Sequence, residues 1–306
     1  MIPLCAPENA KLPTALALGS FDGLHLGHKK VIKAILKEPI GVPTVVSFWP
    51  HPREVLFGES RLRLDLPNEK TLLLKPLGIE QLVLVPFNKT LATKSAEAFV
   101  DEILVKTLQA KHIAVGENFR FGRNREGDIS TLKNIGESLG IKVSIIPILE
   151  DKHGRLSSSR IRKALADGDL NHAKYLLNRP YTFRGTVERG KGLGKKIGWP
   201  TANLKIDGRK FLPSLGVYAV WASIASQKER FPAVINLGPQ PTIDPNSSSA
   251  VEVHLLDKDI NLLGQELIIE PVQRIRVQKK FESIDALSKQ ISLDAKVAKE
   301  ILTNNA

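Results

Sequence analysis

Short apolar runs alternate with amphipathic segments over the first half of the chain. Runs of aliphatic and β-branched residues predict five strands, at 14–18, 43–48, 81–87, 112–116 and 142–147. Apolar residues at helical spacing predict helices between them, at 27–38, 68–78, 95–109 and 128–139. Asn68 is the expected cap of the second helix, and Gly78 and Gly140 are expected to end the second and the fourth. Strands separated by helices favour βαβ crossovers, so the expected fold is α/β, with a parallel sheet covered on both faces.

The pattern changes after residue 151. Two helices are predicted at 157–168 and 169–177, and Asn178, Arg179 and Pro180 then interrupt the chain. Five β-rich runs follow, separated by Gly, Pro, Asn and Ser, and they predict a small antiparallel barrel or sandwich, of which we expect the barrel. A terminal helix is predicted over 283–302, with apolar residues at Ile284, Leu287, Ile291 and Val297. We therefore expect two domains, residues 1–180 and 181–306.

The charge of the chain favours an anionic partner. The 306 residues include 44 Lys and Arg and 32 Asp and Glu, which gives a net charge of +12. A positive charge of this size favours a nucleic acid, a membrane surface or a small phosphorylated substrate as the partner. No five basic residues are consecutive and aromatic residues are only 6%, so stacking platforms for nucleic acid are scarce and we expect no nucleic-acid partner. No apolar stretch reaches the ~18 residues of a membrane helix, so no membrane association is expected. With Cys5 as the single cysteine and no signal-like start, a cytoplasmic location is the expectation.

The string GSFDGLHLGH (19–28) lies where a predicted strand ends and a helix begins. Gly19, Gly23 and Gly27 permit tight turns, and the helix N-terminus directs free N–H groups outward. His25 and His28 can donate hydrogen bonds to anionic oxygens from one side, so the string predicts phosphate binding. A purely structural turn is one alternative. A zinc site is another, although no third ligand lies nearby in sequence and HExxH is absent.

A second glycine-rich string, RGKGLGKKIGWPTANL (189–204), lies in the β-rich half. Its loop amides could wrap phosphates, and its basic residues add positive charge; the residues concerned are Gly190, Gly192, Gly194, Gly198, Lys191, Lys195 and Lys196. Thr201 offers a hydroxyl and Asn203 a carbonyl oxygen, both ligand types that Mg²⁺ accepts. The Walker A pattern GxxxxGK[ST] is not met. A plain hairpin loop is the alternative, and PTAN disfavours it.

The first string resembles a known family. HLGH is similar to the (H/T)xGH signature of nucleotidyltransferases, and the strings GSFDGLHLGH, FWPHP (48–52), VGENFRFG (115–122) and SSSRIR (157–162) resemble the FMN adenylyltransferase module of bacterial bifunctional riboflavin kinase/FAD synthetases. That resemblance implies a Rossmann-like domain in which His25 and His28 bind the ATP triphosphate and stabilise charge as pyrophosphate leaves. It further implies nucleotide or phosphate contacts, at Gly19, Phe21, Gly23, Ser158 and Arg162, and flavin contacts, at His51 and Asn118.

Arg162 suits a phosphate because its guanidinium can bind two oxygens at once, although a solvated helix residue is the alternative. The family often has Thr where Ser159 stands, and the hydroxyl is retained.

The second string resembles the riboflavin kinase module of the same family, where a glycine-rich loop precedes GFPTAN. Further similar strings are GVYAV (216–220), INLGPQPT (235–242), VEVHLLD (251–257) and IRVQKKFESIDALSKQI (275–291). The resemblance implies that Thr201 and Asn203 hold ATP and Mg²⁺, that Glu252 is the catalytic base, and that Arg276 contacts the flavin. An outward strand residue is the alternative for Glu252. Gln240 replaces a usual Arg, and residues 244–249 lack the usual glycines, which affects nearby loop contacts.

These resemblances cover nearly the whole chain and give the leading hypothesis, a two-module transferase. The C-terminal module would convert riboflavin and ATP to FMN and ADP, and the N-terminal module would convert FMN and ATP to FAD and pyrophosphate. Mg²⁺ would accompany ATP, FMN and FAD would be substrate and product, and the protein would be a monomer or weak homo-oligomer. The alternatives are an enzyme with one inactive module and, from the net charge, a nucleic-acid-binding protein.

Overall fold

The computed structural model describes residues 1–37, 40–189, 198–238, 251–258 and 260–305. The chain divides into two compact units, Met1–Ser158 and Ser159–Ala306. The first contains a parallel sheet with helices and the second a closed antiparallel barrel with a terminal helix. The predicted fold class is therefore confirmed.

The sheet of the first unit has six parallel strands. They are β1 (Leu4–Cys5), β2 (Thr14–Leu18), β3 (Val42–Trp49), β4 (Gln81–Pro86), β5 (Ala110–Gly116) and β6 (Lys142–Ile146). Their order in the sheet is β1–β4–β3–β2–β5–β6, and each neighbouring pair is parallel. Five of them confirm the predicted strands. The sixth, β1, has two residues at the edge of the sheet, too few to show a periodic pattern.

Helices cover both faces of this sheet. They are α1 (Leu26–Leu36), α2 (Pro52–Phe57), α3 (Pro67–Leu74), α4 (Lys89–Ala92), α5 (Ala96–Phe99, continuing as a π-helix over Val100–Thr107) and α6 (Ile129–Ser138). Strand β2 illustrates the two-faced packing: Ala15 and Ala17 join Ile32 of α1 in one core, whereas Leu16 and Leu18 belong to the core on the opposite face. Burial on both faces explains why the strands have near-continuous apolar sequences.

The boundaries of α3 differ from the prediction. The helix begins at Pro67 after Leu66, so Asn68 lies inside its first turn and the predicted cap is wrong. Proline suits the first helical position because its fixed φ matches the helix and its missing N–H would have no partner there. A 3₁₀ helix over Lys75–Leu77 continues α3 and ends at Gly78, and Gly140 follows the end of α6, so the predicted stops are confirmed. Their φ values of 87° and 66° are ones that glycine adopts without steric cost.

Two short strands and two helices connect the sheet to the barrel. They are β7 (Glu150–Asp151), β8 (Gly154–Arg155), α7 (Ser158–Asp167) and α8 (Leu170–Leu177). The barrel strands are β9 (Phe183–Glu188), β10 (Ala202–Lys205), β11 (Gly216–Ile224), β12 (Arg230–Leu237), β13 (Val251–Leu255) and β14 (Glu266–Arg276). They close in the order β10–β13–β12–β11–β14–β9. The sequence predicted five of the six; β10 was missed because it lies within the PTAN string.

The terminal helix α9 (Ile284–Thr303) packs on the outside of the barrel. Its buried face consists of Asp294, Ala295, Ala298 and Leu302, whereas Ile284 is 67% exposed. Asp294 is 2% exposed and pairs with Arg276 of β14 at 2.8 Å. Two alanines allow the helix to approach the strands closely, and the ion pair fixes its position.

We predict that Asp294→Asn lowers the free energy of unfolding by about 3 kcal/mol, because it leaves the nearly buried Arg276 guanidinium without its counter-charge. Asp257→Asn is the control, because it removes an exposed ion pair between Asp257 and Lys299, which lies on α9. This change should lower the free energy of unfolding by less than about 1 kcal/mol. Urea unfolding followed by tryptophan fluorescence measures both. Equal losses in the two variants would contradict the account.

Candidate active sites

The 19–28 turn lies at the centre of the parallel sheet. It follows β2, whose neighbours are β3 on one side and β5 on the other. The chain builds outward from β2 through β3 and β4, and then continues on the other side with β5. Strand order therefore reverses beside β2. In open α/β sheets, ligands bind in the crevice that forms at the carboxyl ends of the strands where the order reverses.

The backbone of this turn is strained. Phe21 and Leu24 have φ of 46° and 44°, values that residues other than glycine rarely adopt. A Cβ on Gly27 would lie 3.1 Å from the His25 ring, so a side chain there would force that ring to move. Strain of this kind persists when the surrounding structure enforces it, and it concentrates at functional sites.

The two histidines form a stacked pair at the N-terminus of α1. His25 is the N-cap residue, and its Nδ1 accepts a hydrogen bond from the His28 backbone N–H at 3.4 Å. Their ring centroids are 3.7 Å apart at an interplanar angle of 19°, and the Phe21 ring contacts His28 edge-on at 5.4 Å. Among the described residues, the buried Nδ1 of His28 has no hydrogen-bond partner.

Both imidazoles are electrically neutral near pH 7. Burial lowers the pKa of His25 to about 4; the positive charge of Arg155 acts in the same direction, and Asp22 opposes it. Burial lowers the pKa of His28 well below its ordinary value, and the positive charges of His25 when protonated, of Lys70 and of Arg155 lower it further. The pair can therefore donate hydrogen bonds to a phosphate, whereas positive charge must come from elsewhere.

Hydrogen bonds from distant segments hold the turn. The Asp22 carboxylate accepts from the backbone N–H groups of Leu64 and Asp65, at 2.9 and 3.3 Å, and the Asp22 carbonyl accepts from the Ser158 hydroxyl at 2.7 Å. The structure thus brings the predicted nucleotide residue Ser158 to the turn. Asp22 and Lys70 were not singled out from the sequence, where they stand apart from any spacing that marks them.

Asn118 and His51 each have a partner. With its amide oriented so that the oxygen faces Arg155, Asn118 accepts two hydrogen bonds from that guanidinium, at 2.8 and 3.0 Å. Asn118 is thereby linked to the His25–His28 pair, since the same guanidinium lowers both pKa values. His51 caps α2, where its Nδ1 accepts from the Arg53 N–H at 3.2 Å. Arg155 is a further residue that the sequence analysis missed.

Two predicted arginines lie in the second unit. The Arg162 guanidinium lies 5.9 Å from the centre of the Phe211 ring. The Arg276 guanidinium is held by Asp294 and lies 5.6 Å from the Phe281 ring. Arg276, for which the sequence predicted a flavin contact, is thus already paired with the Asp294 carboxylate.

Register in the barrel aligns three polar side chains. Asn203 of β10 is directly opposite Glu252 of β13, which is in turn opposite Asn236 of β12. Opposed residues lie on the same face of a sheet with Cβ atoms about 5 Å apart. Val251 and Val253 alternate with Glu252 and are buried, so this polar row of Asn203, Glu252 and Asn236 lies on the outer face, half-buried. Asn236 was not singled out from the sequence.

The segment before β10 is held by β13 and α9. The Trp199 indole N–H donates to the Ser288 hydroxyl at 3.3 Å, and its ring contacts His254 edge-on. His254 Nδ1 lies 2.7 Å from the Pro200 carbonyl oxygen. Thr201 follows at once and is exposed. These contacts place the PTAN segment beside the polar row.

Some predicted residues lie outside the described part of the chain. They are Gly190, Gly192, Gly194 and Lys195 of the predicted phosphate loop, together with Gln240 and residues 244–249. Within the described ranges, no three His, Cys, Asp or Glu side chains form a group that could hold a metal ion. Among these described residues, none of those types joins His25 and His28 as a third ligand.

Comparisons with known proteins cover both units. A family model described as FAD synthetase matches residues 8–160, and one described as riboflavin kinase matches residues 177–302. The bifunctional riboflavin kinase/FMN adenylyltransferase of Haemophilus influenzae is 36% identical over 295 residues, covering 93% of each chain. The protein of the same name from Bacillus subtilis is 35% identical over 311 residues, covering 98% of this chain and 96% of its own.

A solved structure shares the architecture over the full length. It comes from Streptococcus pneumoniae and is described as a macrolide-efflux protein; the TM-score is 0.81 at 32% identity, covering 97% of this chain and 98% of that one. In the part of our chain that the structure describes, no helix is long and apolar enough to cross a membrane.

A Rossmann-like sheet with a two-histidine turn, followed by a barrel with a PTAN segment, defines a two-domain ATP-using transferase. The chain belongs to the family of bifunctional riboflavin kinases/FMN adenylyltransferases. Membership of this family confirms the two activities expected from the sequence, riboflavin kinase and FMN adenylyltransferase.

We predict that the His25 ring resonance titrates with a midpoint at about pH 4, because burial and Arg155 disfavour the imidazolium. A proton NMR titration measures the midpoint, and His25→Asn identifies the resonance. A midpoint near the ordinary value of ~6.5 would contradict the account.

The same shifts affect stability. Unfolded imidazoles bind protons near pH 6.5, whereas folded His25 binds its proton only near 4, so unfolding takes up protons between these values. The free energy of unfolding should therefore decrease as the pH falls from 6.5 to 4, by up to ~1.4 kcal/mol per pH unit for each such group. Urea unfolding over this range should show a shallower dependence for His25→Asn. An unchanged slope would argue against a buried neutral imidazole.

Proposed function

We propose that the polar row and the adjoining PTAN segment form the riboflavin kinase site. The observation that carries this proposal is the register that sets Asn203 opposite Glu252. Glu252 would accept the proton of the ribityl hydroxyl as that oxygen attacks the γ-phosphorus of ATP and ADP leaves. The half-buried position of Glu252 supports this role, since a carboxylate between two carboxamides is held in place and remains accessible from outside the barrel.

The oxygen donors near Glu252 suit Mg²⁺. The Thr201 hydroxyl and the Asn203 carboxamide are hard ligands, and Mg²⁺ typically binds a few such protein oxygens together with substrate phosphates. When bound, the ion would neutralise phosphate charge during transfer. Thr201 and Asn203 would orient the triphosphate. Gly190, Gly192, Gly194 and Lys195, which lie outside the described residues, are proposed to bind its phosphates.

We further propose that the 19–28 turn is the adenylyltransferase site. The FMN phosphate would attack the α-phosphorus of ATP directly, so pyrophosphate leaves without a covalent enzyme intermediate. His25 and His28, as neutral donors, would hydrogen-bond the phosphate oxygens, assisted by backbone N–H groups from Gly19, Phe21 and Gly23. The position of the turn at the point where strand order reverses supports this role.

The remaining assignments are proposals of the same kind. Ser158 and Arg162 would contact the nucleotide, and His51, Asn118 and Arg276 the flavin. We retain a domain boundary at residue 180, which the left-handed Asn178 at the end of α8 and the following Pro180 support, although the compact units divide earlier, at Ser158. We propose a cytoplasmic monomer or weak homo-oligomer that takes FMN and FAD as substrate and product.

We predict that Glu252→Gln lowers riboflavin phosphorylation by ~10²–10⁴-fold, because the amide keeps the size of the side chain but accepts no proton. KM for riboflavin and ATP should change little, and supplied FMN should still be converted to FAD. Glu188→Gln is the control, because Glu188 of β9 is the cross-strand neighbour of Asn203 on the side away from Glu252. Thr201→Ala should differ by raising KM for Mg²⁺–ATP as well. Near-parental phosphorylation by Glu252→Gln would remove Glu252 from the mechanism.

We predict that His28→Ala depresses FAD formation while riboflavin phosphorylation stays near normal, because the two sites use different residues in separate units. Chromatography of flavins from separate assays with riboflavin and with FMN measures both rates. His153→Ala removes an exposed histidine of the same unit and is the control. Loss of both activities in a folded His28→Ala protein would contradict the two-site assignment.

A further inference from the structure

Lys70 is a buried cation behind the 19–28 turn. It lies on α3, is 7% exposed, and its Nζ donates a hydrogen bond to the Ser20 carbonyl at 2.9 Å. Burial lowers the pKa of its ammonium, and the carboxylates of Asp22 and Asp65 oppose that shift. Among the described residues no carboxylate forms an ion pair with it. Burying an ammonium that makes one hydrogen bond costs folding free energy, so a buried lysine at this position suggests a functional role.

The carbonyl that Lys70 binds belongs to a constrained peptide. The Ser20 C=O and the Phe21 N–H are parts of one planar trans peptide unit, so they point in opposite directions. Phe21 follows with φ of 46°. The Ser47 hydroxyl also donates to the Ser20 carbonyl, at 3.2 Å. Two donors therefore hold the C=O toward α3 and β3, which directs the Phe21 N–H to the opposite side.

We propose that Lys70 is a positioning residue for adenylyl transfer: its ammonium fixes the Ser20–Phe21 peptide so that the Phe21 N–H faces the phosphates of ATP. This inference rests on the proposed function, in which the 19–28 turn binds those phosphates. Lys70 acts through the peptide without touching the substrate.

The charge of Lys70 adds a second effect that a neutral donor could not supply. Lys70 is one of the groups whose positive charge lowers the pKa of His28, so its field reaches the histidine pair. The imidazoles are neutral, and a triphosphate there needs positive potential from nearby residues. Lys70 supplies such potential from behind the turn, where water does not screen it.

Lys70→Met tests the proposal, because it preserves the length and packing of the side chain and removes the ammonium. We expect kcat/KM for ATP in FAD formation to fall about 10²-fold, chiefly through KM for ATP, with KM for FMN and riboflavin phosphorylation within twofold of the parent. Ser47→Ala is the matched control, since it removes the neutral hydrogen bond to the same carbonyl, and we expect less than a threefold loss.

Equal losses in Lys70→Met and Ser47→Ala would overturn the proposal, and so would a Lys70→Met loss in which KM for ATP and FMN rise together. If His28→Ala leaves FAD formation intact, the proposed site itself is wrong. If His28→Ala abolishes FAD formation and Lys70→Met does not lower it, only the role of Lys70 fails.

A second measurement does not depend on the Lys70 variant folding. In ¹⁵N-phenylalanine-labelled parent protein, the Phe21 amide, assigned with Phe21→Leu, should shift when magnesium pyrophosphate is added. In Lys70→Met that shift should be lost or reduced severalfold. A parent Phe21 amide that does not respond to pyrophosphate overturns the proposal, whether or not the variant folds.

Discussion

Backbone pairing between neighbouring strands is the constraint on which both sites depend. In the first unit, pairing of β2 with β3 and β5 places the end of β2 at the centre of the sheet, so the 19–28 turn emerges where strand order reverses. In the second, the register of β10, β13 and β12 sets Asn203, Glu252 and Asn236 in one row. A shift of one residue would turn Glu252 into the barrel interior and expose Val251 or Val253, so the hydrophobic interior enforces the geometry of the site.

Charge is distributed differently in the two sites. The histidine pair is neutral because burial and neighbouring cations both disfavour a proton, so His25 and His28 supply donors with fixed directions. Positive potential then comes from Lys70 behind the turn and from Arg155, which Asn118 orients. In the barrel, the polar row offers oxygen atoms and one carboxylate, a set that suits a metal-bound triphosphate and proton acceptance. This division fits a reaction at a phosphate in one unit and at a hydroxyl in the other.

Local patterns in the sequence predicted much of the fold. Five of the six parallel strands, the glycine stops and the β-rich second half followed from periodicity and turn residues, because burial and backbone conformation act within short segments. The elements that were missed depend on partners far along the chain: β1 is defined only by its pairing with β4, and β10 by its pairing with β9 and β13.

The residues of the two candidate sites could be proposed from the sequence only in part. The motif residues His25, His28 and Asn203 could be found from spacing and resemblance. Lys70, Arg155 and Asn236 could not, because their relevance comes from tertiary contacts. The buried face of α9 was also hidden, since it consists of two alanines, a leucine and an aspartate whose counter-charge is Arg276.

Isotope transfer from ATP tests the central claim most directly, that one chain carries out phosphoryl transfer to riboflavin and then adenylyl transfer to FMN. Riboflavin is incubated with Mg²⁺ and either γ-³²P-labelled or α-³²P-labelled ATP, and the flavins are separated over time. The account predicts that γ-label enters FMN first and then FAD, while α-label enters FAD alone. Appearance of α-label in FMN, or FAD that lacks α-label, would contradict it.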